Sequence, residues 1–188
     1  MTKKAKYKLV ALLLCFVIAV CGVTAAVSVS VIKYLYPVSY YDLVKEYSRE
    51  YDVSEELLLA VIKTESSFDP EAVSAAGALG LTQITPDTFN WLQTKTGESL
   101  DSEALKEPEV SIKYGAFFLH LLLDEFGNTE TAVAAYHAGR GRVNGWLEDA
   151  EISSDGLKLD NIPVAETAHY VRKVMRAVNI YSSIYKLS

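Results

Sequence analysis

Cysteine is nearly absent: Cys15 and Cys21 are the only two, and both lie inside one apolar run near the start. The remainder of the chain has neither a disulfide framework nor a cysteine metal site available, and must be held together by its core. No acidic residue precedes Pro37, and no charge of either sign occurs from Leu9 to Ile32. The chain contains no H-E-x-x-H pair, calcium loop or phosphate loop, so no metal and no nucleotide is expected as cofactor. Convincing strand-like alternation is missing after Ser39, as are internal repeats and a low-complexity linker. Basic residues are scarce beyond Pro37, 13 against 24 acidic ones, for a formal balance of −11. That surface is unsuited to nucleic acid, which requires a basic face. It is equally unsuited to electrostatic docking on anionic lipid.

What is present begins with LVALLLCFVIAVCGVTAAVSVSVI, residues 9 to 32. As a helix this run reaches roughly 36 Å, enough to cross a hydrocarbon layer of about 30 Å with some tilt. Lys3, Lys4, Lys6 and Lys8 precede it, and positive flanks stay cytoplasmic, so the rest is expected to face outward. A cleaved signal peptide would have a shorter apolar region; Thr24-Ala25-Ala26 is a passable cleavage site, but the run continues to Ile32. A lipoprotein needs a small residue before its modified cysteine, and Val20 precedes Cys21. The reading is therefore a basic cytoplasmic tail over 1–8, an uncleaved transmembrane anchor over 9–32, a juxtamembrane linker over 33–38 and one outward domain over 39–188. The localisation expected is a single-pass cell-membrane protein.

The outward domain reads as all-α. Helices are predicted from about Tyr40 to Tyr51 with Ser39 as cap, and from after Ser54 to about Ser66. Another opens at Thr85-Pro86. Glu107-Pro108 opens the longest soluble helix, apolar nearly all round and stopping at Gly127, which marks it as the central buried helix. A short helix covers Thr129 to Ala138, a turn or two covers Val143 to Glu148, and Pro163 starts a C-terminal helix. The glycine-rich SAAGALGLTQ is loop-like.

The stretch VIKTESSFDP, residues 61 to 70, puts a carboxylate at the end of the second helix. Leu58, Val61 and Ile62 share a face with Glu65 through the i−7, i−4 and i−3 spacings. A carboxylate there loses water and meets the negative end of its own helix dipole. Both effects favour the protonated form, which is what protonates a leaving oxygen. Taken alone, a helix-end glutamate reads better as a solvated terminus.

Its neighbours change the case. Glu65-Ser66, Gly80-Leu81-Thr82-Gln83, Ala135-Tyr136-His137-Ala138-Gly139 and Ile162-Pro163-Val164-Ala165-Glu166-Thr167 with Tyr170-Val171 together resemble the lytic transglycosylase domain of the soluble-lytic-transglycosylase type. The resemblance covers about residues 40 to 185 and rests on four blocks in order. It implies a goose-type lysozyme fold acting on peptidoglycan glycan strands, with Glu65 as acid and then base. It also implies that Ser66 orients substrate or the glutamate, and that Gly80, Leu81 and Gln83 line a groove floor. Tyr136 is expected to hold Glu65 by its hydroxyl, while Glu166 and Tyr170 close the other side. His137 stands where the family usually has asparagine, and Thr82 where it often has methionine; both departures bear on groove contacts. Protonated His137 near Glu65 would weaken the acid, so an acid limb sensitive to His137 is expected.

Ordinary glycosidases use two carboxylates. Asp69, Glu71 and Asp87 are near in sequence, but their turn and helix-start contexts are structural ones. The resemblance implies a single-carboxylate route: attack by the C6 hydroxyl of MurNAc on its own C1 at the MurNAc–GlcNAc β-1,4 bond, leaving a 1,6-anhydro end. A hydrolytic muramidase and an idle wall-binding or scaffold module remain open alternatives from the residues alone. A role in growth, secretion or conjugation machinery suits an anchored wall enzyme, with its partner in the cell envelope unnamed by the sequence.

Overall fold

The computed structural model describes residues 4, 16–18, 20–22, 24, 27, 29–185 and 187. The chain divides into two compact units, Met1–Pro37 and Val38–Ser188. In the first, every described position from Phe16 to Leu35 is helical. Among the described residues no helix is long and apolar enough to cross a membrane; much of the span expected over 9–32 lies outside the described residues.

The second unit is built from helices joined by short, capped turns. The first, α1 (Tyr41–Glu50), starts one residue later than expected, and Ser39 is not its cap. Tyr40 takes that position in a left-handed conformation (φ 58°) without a side-chain cap bond. The next, α2 (Glu55–Glu65), is capped by Ser54, whose hydroxyl accepts from the Leu57 amide. Thr85 caps α3 (Pro86–Thr96) in the same way, with proline at the first turn. A 3-10 turn over Ser102–Lys106, not anticipated from the sequence, leads into α4 (Pro108–Phe126), which stops at left-handed Gly127. Asn128 caps α5 (Thr129–Ala138), and α6 (Arg140–Leu147) follows at once. The last, α7 (Ala165–Ile184), starts two residues after Pro163. No β-strand occurs among the described residues; isolated bridges join Leu79 to Val73 and to Ile84.

Burial corrects one expectation about the core. The run of consecutive buried residues from Leu57 to Ile62 makes α2 the helix enclosed on all sides. The longer α4 keeps Phe117, Leu121 and Leu123 only half-buried. Helix α7 packs along α2, while α5 packs against both α4 and α7. This arrangement delivers the end of α2, and Glu65 with it, to the faces of α5 and α7.

Candidate active site

Glu65 is the last residue of α2. Immediately beyond it Ser67 and Phe68 are both left-handed (φ 54° and 69°), uncommon for residues with a side chain and costly unless the surroundings impose it. They turn the chain sharply, so the glutamate stands at a bend and not within a continuing helix. The Phe68 ring is buried and holds the bend. Ser66 ties it from the other side: its hydroxyl donates to the Leu81 carbonyl (2.9 Å) and accepts from the Phe68 amide (3.1 Å). These two bonds brace the loop, so Ser66 serves the backbone around the acid rather than its carboxyl.

The Glu65 carboxyl is half-buried. Tyr170 on α7 donates its hydroxyl to Oε1 at 2.5 Å. One turn further along α7, Lys173 Nζ donates to the Thr64 carbonyl at 3.4 Å. Loss of water pushes the Glu65 pKa up to about 7, against the opposing pulls of the Tyr170 bond and the Lys173 charge. Near neutral pH the group is thus divided between its acid and its carboxylate, the condition for giving a proton and then taking one back.

The tyrosine assignment is corrected by this geometry. Tyr136, expected to hold Glu65, instead donates its hydroxyl to the Thr82 carbonyl at 2.8 Å. Tyr136 remains a neighbour of the acid: burial and the Glu65 charge both raise its pKa well above the usual phenol value. The hydroxyl on the carboxyl belongs to Tyr170, likewise raised by burial and by Glu65. Both phenols are neutral donors throughout any working range.

The glycine-rich loop also differs in detail from the expected groove floor. Gly80 (φ 73°) is buried, and a Cβ there would sit 1.8 Å from the Leu105 carbonyl oxygen. Its lack of a side chain lets the loop lie on the 3-10 turn; the close approach is to protein backbone. Leu81 is fully buried in the core, so only its backbone serves the site. Gln83 is half-buried, and its amide nitrogen donates to the carbonyls of Ala72 (3.0 Å) and Gly80 (2.9 Å). Thr82 is buried too; its hydroxyl donates to the Ser111 carbonyl (2.9 Å), and its methyl packs where Gly115 leaves room.

On the opposite wall, His137 stacks on the Tyr170 ring (centroids 4.5 Å apart, planes at 29°). Its Nδ1 lies 3.2 Å from Thr167 Oγ1. Burial pushes the imidazole pKa below its ordinary value, with Glu166 pulling the other way, so the ring is neutral at pH 7. Glu166 is exposed in the first turn of α7. A cleft of about 440 Å³ opens beside Tyr136 and His137, lined also by Asp87, Trp91, Phe118 and Arg140. Among the described residues no group of histidine, cysteine or carboxylate side chains is placed to hold a metal ion.

The match to known proteins is decided by residues 42–156, which fit the family described as the transglycosylase SLT domain. The chain belongs to that family. Among its relatives are the soluble lytic murein transglycosylases of Salmonella typhimurium and Escherichia coli, 35% and 33% identical. Each alignment covers 74% of this chain but 22% of the relative. The membrane-bound lytic murein transglycosylase C of Mannheimia succiniciproducens is 35% identical, over 55% of this chain and 32% of that relative. Of solved structures, an inactive mutant of lytic transglycosylase Slt from Pseudomonas aeruginosa superposes with a TM-score of 0.69 at 30% identity. That match covers 79% of this chain and 24% of the other. The 70-kDa soluble lytic transglycosylase in complex with bulgecin A gives 0.72 at 28%, covering 84% and 26%. The chain thus spans about a fifth of the length of the soluble relatives and carries the lysozyme-like SLT fold.

Within this SLT domain the sequence reading missed Lys173 and Thr167. Lys173 follows Tyr170 by three residues, which places both on one helical face; that spacing was available as a signal. Thr167, buried against His137, stood in one of the four blocks but was given no role there.

Proposed function

We propose that the chain is a membrane-anchored peptidoglycan lytic transglycosylase. It cleaves the MurNAc–GlcNAc β-1,4 bond and leaves 1,6-anhydroMurNAc ends. One observation carries this reading: a half-buried carboxyl near neutrality, whose hydrogen-bonding partner is a neutral phenol and whose charged neighbour is a lysine. No second carboxylate acts on Glu65 among the groups that set its proton affinity. Asp69 instead accepts from the Glu71 amide in a turn of its own (3.0 Å).

Glu65 in its acid form gives its proton to the bridging oxygen as the bond to MurNAc C1 breaks. The carboxylate left behind is stabilised by the Tyr170 hydroxyl, which favours the charged form. It then takes the proton of the MurNAc C6 hydroxyl as that oxygen closes on C1. Nucleophile and electrophile belong to one sugar ring, so no water need be positioned and the entropic cost of recruiting a nucleophile disappears. Glu65 ends as it began, protonated.

Two sets of facts support the anchor: the charge-free run over 9–32 behind four lysines, and the membrane-bound type among the relatives. The SLT unit then works on the extracytoplasmic side, close to where new glycan leaves the membrane. Digests of purified wall test the chemistry. Anhydro ends, lighter by one water than reducing ends, are expected in the mass spectrum, and Glu65→Gln abolishes them. Reducing ends would make the enzyme a hydrolase, and undiminished cutting by Glu65→Gln would remove Glu65 from the mechanism. A zymogram cleared by neither protein would leave only a binding module.

A further inference from the structure

The outer face of α7 takes no part in the proton transfers. The helix buries Thr167, Tyr170, Val171, Val174, Ala177 and Tyr181. Its opposite face is exposed and carries His169, Arg172, Lys173 and Arg176, whose i, i+3, i+4 and i+7 spacing sets them in one row. That row spans roughly 10 Å along the helix axis. The helix has a single acidic residue, Glu166, in its first turn. Three of the 13 basic residues beyond Pro37 thus fall between positions 172 and 176, in a domain whose formal balance is −11.

None of these three cations is neutralised by an ion pair. Among the described residues the ion pairs lie elsewhere, at Lys106–Glu103, Lys113–Glu98 and Arg140–Glu125. Glu130 and Asp160 share a small cavity with Arg172, but Asp160 accepts from the Ser154 amide (2.7 Å) instead. Lys173 rests on a neutral acceptor, the Thr64 carbonyl. Like charges on adjoining turns repel one another, and an anion laid along the row removes that cost. The form of the row selects among anions. No large apolar side chain of α7 is exposed, so the desolvated apolar centre of a protein interface is missing. A flat anionic bilayer would meet the acidic remainder of the domain together with the row, and the net charge opposes that approach. A thin linear polyanion can follow the row alone, and arginine forks suit phosphate oxygens. Single-stranded nucleic acid brings bases that need aromatic platforms, whereas Tyr170 and Tyr181 are buried.

We propose that the row of Arg172, Lys173 and Arg176 binds a base-free linear phosphodiester polymer. This site stands apart from the lytic reading and is tested by binding alone. The probe is poly(glycerol phosphate) of defined length, titrated by calorimetry into the full chain in neutral detergent. Saturable binding is expected, with a slope of about −2 in log affinity against log salt, as for three charges neutralised on a single-stranded polyanion. At about 0.15 M salt, where distant charges are screened, R172Q/K173Q/R176Q should lose about tenfold or more in affinity. K45Q/K106Q/K158Q makes the same change of charge elsewhere on the domain and should bind as wild type. Arg176→Gln alone should lose about threefold, which reads the site even where the triple variant fails to keep its helicity. Undiminished binding by the α7 variants, or equal loss in the two triple variants, overturns the site. Equal affinity for poly-glutamate of matched charge, tighter binding of a single-stranded oligonucleotide, or equal binding to phosphatidylglycerol vesicles overturns the assigned occupant.

Discussion

Glu65 is where the opposing influences meet. Burial raises its pKa to about 7, while Tyr170 and Lys173 restrain the rise. A carboxyl whose folded pKa lies above its unfolded value binds more protons when folded, so stability falls as pH increases between the two. The full contribution is present below about pH 4.5 and is lost as pH passes through about 7. Glu65→Gln is therefore expected to equal wild type in stability at pH 4 and to exceed it by on the order of 2 kcal/mol at pH 8, by urea denaturation at each pH. Removing either restraint raises the pKa further. Lys173→Met should move the alkaline limb of activity upward by about half a unit, a modest shift because the lysine is exposed. Tyr170→Phe should move it in the same direction and also lower the maximal rate, since the carboxylate loses its donor. A pH–rate profile that stays in place for both variants would show that neither group acts on Glu65.

At the scale of elements, the site depends on one loop held by its backbone. The segment from Ser66 to Gln83 folds back on α2 through the Ser66–Leu81 bond, settles on the 3-10 turn at Gly80, and is fastened to α4 by Thr82 and Ser111. Gly80→Ala meets both a left-handed backbone and the Leu105 carbonyl, so a loss of about 3 kcal/mol or more is expected by thermal denaturation. Ser54→Ala, at the far end of α2, removes a cap and should cost about 1 kcal/mol with kcat unaltered. The contrast separates a residue that shapes the site from one that only stabilises the helix bearing it. Helix α7 complements the loop from the other side. His137 reaches it through Thr167 and Tyr170, so a neutral ring on α5 steadies the phenol that steadies the acid.

For the whole molecule, residues 38–188 form a compact unit of their own. Expressed alone, they should show full helicity by circular dichroism and remain in the supernatant after ultracentrifugation. The complete chain should sediment with membranes and resist alkaline carbonate; release by carbonate would end the anchor reading. How much of this was legible beforehand depends on the reach of each cause. The helix starts after Ser54 and at Thr85-Pro86, the stop at Gly127, and the apolar face leading to Glu65 were readable because each is set within a turn or two of chain. The sequence by itself determined that the domain is helical and that a carboxyl ends a greasy helix, since spacing and capping act locally. Only the tertiary structure decided that Tyr170 holds Glu65 while Tyr136 serves Thr82. It likewise decided that Gly80 makes room for Leu105 and that the Arg140 guanidinium lies 5.8 Å from the centroid of the Trp91 ring. Those pairings join residues far apart in the chain, and they follow from how helices pack, which no local pattern encodes.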